Sequence, residues 1–137
     1  MSKLVIKMTG RFIITRNPYQ EYTFELRAGN GEAIAISQTF PTVESCENII
    51  DSIKRNAKAP VEDRTQYKWK AIAYPKYEIY KDTTGEFHFR LKSATGEIIA
   101  VSESYTTKSS CLKGIRSIGK NAPDGEIVIR NNIESGD

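Results

Sequence analysis

Apolar and polar residues alternate strictly over residues 22–27, where Tyr22, Phe24 and Leu26 interleave with Thr23, Glu25 and Arg27, and again over residues 87–92, where Phe87, Phe89 and Leu91 interleave with His88, Arg90 and Lys92. A period of two predicts strands with one buried and one wet face. Phe12 and Ile14, like Tyr77 and Ile79, predict a strand ahead of each, and residues 32–37 and 97–102 predict one behind. Asn30-Gly31 and Thr95-Gly96 fall where the hairpins must reverse, and Gly supplies the positive φ of such turns. The period then lengthens. Cys46, Ile50, Ile53 and Ala57 are spaced four, three and four apart, as are Cys111, Ile115, Ile118 and Ala122. That spacing predicts two helices, each with one narrow apolar stripe. Thr42 and Thr107 suit their N-caps, and Asn56 and Asn121 suit a left-handed residue closing each helix. A fourth strand is expected after each helix, over residues 126–129 in one case and less distinctly over residues 61–67 in the other.

These elements are one pattern written twice. Shifting the chain by 65 residues aligns residues 11–57 with 76–122 without a gap, and 17 of the 47 pairs are identical. They include Phe24/Phe89, Leu26/Leu91, Gly31/Gly96, Cys46/Cys111, Ile50/Ile115 and Asn56/Asn121. A three-stranded meander with one helix buries too little surface to stand alone. The expected architecture is therefore α+β: two tandem β3-α-β repeats, about residues 11–66 and 76–130, in a single pseudo-twofold domain over residues 1–137. The two sheets are expected to merge into one antiparallel sheet with both helices on one face. The segment over residues 58–75 holds Tyr67, Trp69, Ile72 and Tyr74 and lacks the Gly/Ser richness of a free linker, so it is expected to pack.

The second copy carries Tyr77-Glu78-Ile79-Tyr80-Lys81-Asp82, Gly85-Glu86-Phe87-His88-Phe89-Arg90-Leu91-Lys92 and Gly96-Glu97-Ile98-Ile99-Ala100, followed by Ser104-Tyr105, Cys111, Gly114-Ile115 and Asn121-Ala122-Pro123. The first repeats this more loosely through Phe24, Leu26, Asn30-Gly31-Glu32, Ser45-Cys46-Glu47-Asn48 and Asn56-Ala57. This pattern resembles the YegP-like family, small bacterial and archaeal proteins of uncharacterised function built from one or two such units. The resemblance implies that the last strand of each unit crosses to its partner unit, and it carries no catalytic residues to transfer. Three departures stand out: Ile49 in place of Gly114, Pro18-Tyr19-Gln20 in place of a Gly-containing first turn, and an apolar lead-in over residues 1–10.

Composition narrows the function classes. With 39% hydrophobic residues the chain is not disordered, and no apolar run approaches the ~20 residues of a membrane span. Two cysteines are too few for a disulfide scaffold, so a reducing cytoplasm is expected. Cys46 and Cys111 read as core residues. His88, the sole histidine, sits on the polar parity of its strand and is expected to face solvent without orienting partners. Two thiols and one histidine fall short of a zinc site, and no cofactor is expected. Glu32 and Glu97 recur at turn exits, where a charged residue on the wet face is the simpler reading than acid/base chemistry.

One charge asymmetry is informative. Residues 106–122 hold Lys108, Lys113, Arg116 and Lys120 and no acid, whereas the matching stretch of the first copy carries Glu44, Glu47 and Asp51. Lys113, Arg116 and Lys120 share one helix face, and Tyr67-Lys68-Trp69-Lys70 alternates aromatic and basic residues. Bases on phosphates and aromatics on nucleobases make a nucleic-acid surface. A net charge of only +3 weighs toward a solvated helix face instead. The reading favoured from sequence is a monomeric, non-enzymatic binding module. The alternative is a nucleic-acid-associated protein using Lys113, Arg116, Lys120, Lys68, Trp69 and Lys70. An enzyme with paired carboxylates at the seam between the repeats is the third.

Overall fold

The computed structural model describes residues 10–130; residues 1–9, and with them most of the apolar lead-in, lie outside the described residues. The order is β1 (Arg11–Arg16), β2 (Tyr22–Arg27), β3 (Ala33–Ile36), α1 (Val43–Asn56), β4 (Val61–Asp63), then β5 (Lys76–Lys81), β6 (Phe87–Lys92), β7 (Ile98–Val101), α2 (Lys108–Asn121) and β8 (Glu126–Arg130). Each repeat is thus three strands, a helix and a strand. Gly31 and Gly96 take φ of 89° and 85° at the two hairpin reversals. The first turn of the second repeat uses Gly85 at φ 87°, and Gln20 occupies the same left-handed region at the matching place in the first, at φ 67°. The Asn17 side chain accepts from the Tyr19 and Glu21 amides there and holds the turn.

The final strands are exchanged. β8, from the second repeat, pairs parallel with β1, and β4, from the first, pairs parallel with β5. The sheets have the orders β3-β2-β1-β8 and β4-β5-β6-β7. The expectation of one merged antiparallel sheet is corrected on two counts. Each sheet is mixed, because a strand arriving from a helix adds beside the first strand in its own direction. The sheets also remain two: β3 and β7 approach each other at the seam but share no hydrogen-bonded ladder. The strong right-handed twist of strands makes edges that wrap a pair of helices diverge rather than zip.

A single core unites both repeats. Phe12, Ile14, Phe24 and Leu26 from one sheet and Tyr77, Ile79, Phe89 and Leu91 from the other enclose Cys46, Ile50, Ile53, Cys111, Ile115 and Ile118 of the helices. α1 packs on β1, β2 and β7, and α2 on β3 and β6, so each helix bridges the two sheets. Both cysteines are free and fully buried, and burial pushes both thiols up to about 11. Thr42 and Thr107 are the N-caps, accepting from the Ser45 and Ser110 amides. Asn56 and Asn121 do not close the helices in the left-handed region. Both are the last helical residue, and the following Ala57 and Ala122 are right-handed. The asparagines recur for another reason: each Nδ2 donates to a carbonyl one turn back, Asn56 to Ser52 and Asn121 to Ser117, at 2.8 Å.

Candidate functional site

The second sheet turns Tyr77, Ile79, Phe89 and Leu91 inward, which leaves Lys76, Glu78 and Tyr80 on β5 and His88, Arg90 and Lys92 on β6 facing out. The register sets them opposite one another as Lys76/Lys92, Glu78/Arg90 and Tyr80/His88, and the exchanged strand β4 adds Glu62 beside Glu78. Two neighbouring carboxylates repel unless cations intervene. Here four do. Lys76 Nζ lies 2.6 Å from Glu62 Oε1 and 3.3 Å from Glu78 Oε2. Arg64 Nε binds Glu62 at 2.6 Å while its Nη2 binds Glu78 at 2.9 Å. Arg90 Nε and Lys92 Nζ meet the other oxygen of Glu78 at 2.5 and 3.2 Å.

Residues 64–75 form a strap across this face. The Ile72 amide donates to Glu62 Oε1 at 2.8 Å. Arg64 lies 4.7 Å from the centre of the Trp69 ring, and the ammonium groups of Lys76 and Lys92 lie 5.0 and 5.7 Å from that of Tyr74. At the far end of β5 and β6, Arg90 lies over Tyr80 at 4.8 Å and Tyr80 stacks on His88. The strap thereby buries both glutamate side chains completely. Burial alone raises a carboxyl pKa, but the hydrogen bonds from Lys76, Arg64 and Ile72 outweigh it and hold Glu62 at about 2. Glu78 is lowered against its burial by its Arg90 and Lys92 partners in the same way.

The strap is only partly packed, contrary to the sequence expectation for residues 58–75. Its ends are anchored, but residues 66–71 are exposed, with Tyr67 at 91% and Trp69 at 40%. Polar cross-links hold it instead of an apolar face, so its aromatic rings remain available. His88 also differs from expectation. It is half-buried, with Nε2 2.7 Å from Asp82 Oδ2 and its ring against Tyr80.

The residues singled out from sequence separate into two groups. Lys68, Trp69 and Lys70 lie on the strap, over the outer face of the second sheet. Lys113, Arg116 and Lys120 are exposed on α2, which packs on the inner face of the same sheet through Cys111, Ile115 and Ile118. The structure therefore places the two groups on opposite sides of that sheet. The fourth basic residue of the helix, Lys108, is occupied by Asp63 at 2.8 Å. Arg116 and Lys120 line an open cleft together with Lys58, Asp124, Ala57, Ile115 and Pro123. Glu32 and Glu97 are exposed at their turns, and the cavity at the β3–β7 seam, about 70 Å³, is lined by Phe24, Phe40, Ile49, Ile98 and Val101 rather than by those carboxylates. Sequence reasoning missed Glu62, Arg64, Lys76, Glu78, Arg90 and Lys92. Their trace in the sequence is the charged residue at nearly every polar-parity position of residues 76–92, but the cross-strand partners emerge only with the register.

The paired sheets, exchanged strands and shared helical core define a class of tandem β3-α-β proteins. The sequence matches the family described as "Domain of unknown function (DUF1508)" at residues 20–63 and again at 82–128, one match in each repeat. The chain belongs to this family, and the relatives it matches include UPF0339 proteins. A UPF0339 protein in the ptx operon 5′ region of Stutzerimonas stutzeri is 33% identical over 121 residues, covering 88% of this chain and 96% of that one. UPF0339 protein YegP of Escherichia coli is 33% identical over 114 residues, covering 83% and 91%. A Treponema denticola relative is 57% identical over 53 residues, which are 91% of its length but 39% of this chain, so it is about one repeat long. The solution structure of E. coli YegP, of unknown function, superposes with a TM-score of 0.71 at 28% identity over 93% of this chain and 97% of that one. Among the described residues no helix is long and apolar enough to cross a membrane.

Proposed function

We propose that the chain is a non-enzymatic binding module, a monomer whose repeats act as one pseudo-twofold unit over residues 1–137, and that its contact surface is the outer face of the second sheet with its strap. One observation carries the reading: six cations (Arg64, Lys68, Lys70, Lys76, Arg90 and Lys92) stand there against three carboxylates, Glu62, Glu78 and Asp82, beside the exposed rings of Tyr67, Trp69 and Tyr74. A surplus of positive charge on one face recruits a polyanionic partner. The first sheet lacks the carboxylate pair, since Ile13 and Val128 stand side by side where the second has Glu78 and Glu62, and Glu25 stands where it has Arg90. Both buried carboxylates are held as anions by their cations, so neither is a proton donor near neutral pH. A cytoplasmic setting agrees with two buried free thiols.

A second reading, nucleic-acid association through Lys113, Arg116 and Lys120, is favoured by their exposure on a helix face beside an open cleft lined by three bases, Lys58, Arg116 and Lys120, and one acid, Asp124. Chromatography on immobilised heparin separates the two. The paired variant Lys68→Glu/Lys70→Glu is expected to elute at clearly lower salt than the parent, and the triple variant Lys113→Glu/Arg116→Glu/Lys120→Glu is expected to shift less. Passage of the parent straight through at low ionic strength contradicts the module reading, and the reverse order of variants moves the surface to the helix.

A further inference from the structure

The strap offers more than charge. Within residues 67–74 it exposes three aromatic rings, Tyr67 at 91%, Trp69 at 40% and Tyr74 at 47%, interleaved with Lys68 and Lys70. Lys68 takes φ 59°, an uncommon backbone state for a side-chain-bearing residue, which breaks the extended run between the Tyr67 and Trp69 rings. Each ring has a cation at its face: Lys68 near Tyr67 at 5.7 Å, Arg64 at Trp69, and Lys76 with Lys92 at Tyr74. The Tyr80–His88 stack, with Arg90 over Tyr80, extends the series along the sheet. A linear sulfated polysaccharide such as heparin, which has no flat aromatic rings, uses the cations alone. Exposed rings flanked by cations match a polymer that alternates phosphates with flat, unpaired rings.

We propose that this face binds single-stranded nucleic acid, with nucleobases stacking on Trp69, Tyr67 and Tyr74 and phosphates held by Lys68, Lys70 and Lys92. The inference rests on the binding-module reading above and specifies its ligand. Duplex fits poorly, because its bases are stacked on one another and only phosphates remain for the strap.

Trp69 is the sole tryptophan, so its fluorescence reports the site without a label. The parent protein is titrated at low salt with an oligothymidylate of about 12 nucleotides, the RNA homopolymer of equal length, and a duplex. The single strands are expected to quench Trp69 and to outbind the duplex. Their affinity should fall with log salt at a slope of about −2, the value for three phosphates at roughly −0.7 each. By anisotropy of a labelled oligothymidylate, Trp69→Ala is expected to weaken binding by about tenfold, as loss of one stacked base does. Lys68→Glu/Lys70→Glu should weaken it at least as much, with thermal stability unchanged. Retention on heparin without response to either single strand overturns this inference and leaves the binding-module reading standing; no response to heparin or strands removes both. Loss of strand binding in Lys113→Glu/Arg116→Glu/Lys120→Glu, with the strap variants unaffected, overturns the assignment to this face.

Discussion

Gly114 has no room for a side chain: a Cβ there collides with the Tyr105 hydroxyl and comes within 3.1 Å of the Phe89 ring. The first repeat places Ile49 at the matching position and Phe40 where the second has Tyr105. The two halves have thus solved one contact in two ways, a glycine under a hydroxyl or a larger aliphatic residue under a plain ring, which accounts for the departure at Ile49. Gly114→Ala gains about 1 kcal/mol of helix propensity and loses about 1–3 kcal/mol to overpacking. It is therefore expected to be neutral to destabilising in the parent and less costly in a Tyr105→Phe background, which removes the hydroxyl but keeps the ring carbons within 3.1 Å, read by urea denaturation; an equal cost in both backgrounds contradicts the contact. The buried carboxylates act at the same scale. Glu62 is held at about 2, below its ordinary value, so its stabilisation is fully present above about pH 4.3 and is lost as pH falls toward 2. The strap is expected to detach in that window, seen as a change in Trp69 emission between about pH 4 and 2. A flat emission profile there contradicts the network.

Among the elements, both helices were legible from spacing, because only a helix turns positions three and four apart onto one face. Their caps were legible too. Thr42 carries a full capping box, its side chain accepting from the Ser45 amide while Ser45 Oγ accepts from the Thr42 amide. Thr42→Ala is expected to cost about 1 kcal/mol of unfolding free energy in a denaturant titration, with a change under about 0.3 kcal/mol counting against the cap. Asn56 and Asn121 show the limit of such reasoning. Asparagine at a helix end fits both a left-handed closure and a side-chain bond to the preceding turn, and only backbone angles separate the two. The strap marks a second limit. Its aromatic content reads as packing, but burial is decided by the surface beneath it, which here is a charged network and not an apolar face. The network itself was hidden because its partners lie up to 14 residues apart on three strands, one of which has crossed from the other repeat.

For the whole molecule, the strand exchange ties the halves together. β8 completes the sheet of the first repeat and β4 that of the second, and the core draws on both. Unfolding is expected to be a single transition in which Trp69 emission, reporting the second sheet, and far-UV circular dichroism, reporting both repeats, coincide in midpoint; separate midpoints contradict the shared core. Duplication and exchange were legible from the repeat and the family resemblance, whereas the split into two sheets depends on whether β3 and β7 zip, which no pattern in either strand encodes. The positions that match between repeats are mostly core, turn and cap positions, while the buried pair Glu62 and Glu78 of the second sheet is replaced by Val128 and Ile13 in the first. The outer face of the second sheet with its strap is the proposed contact surface. Its most direct test is a series of two-dimensional amide NMR spectra recorded as a single-stranded oligothymidylate is added. Shifts concentrated at residues 64–75 and 88–92 are expected; shifts confined to residues 113–120 or to the β3–β7 seam place the contact elsewhere.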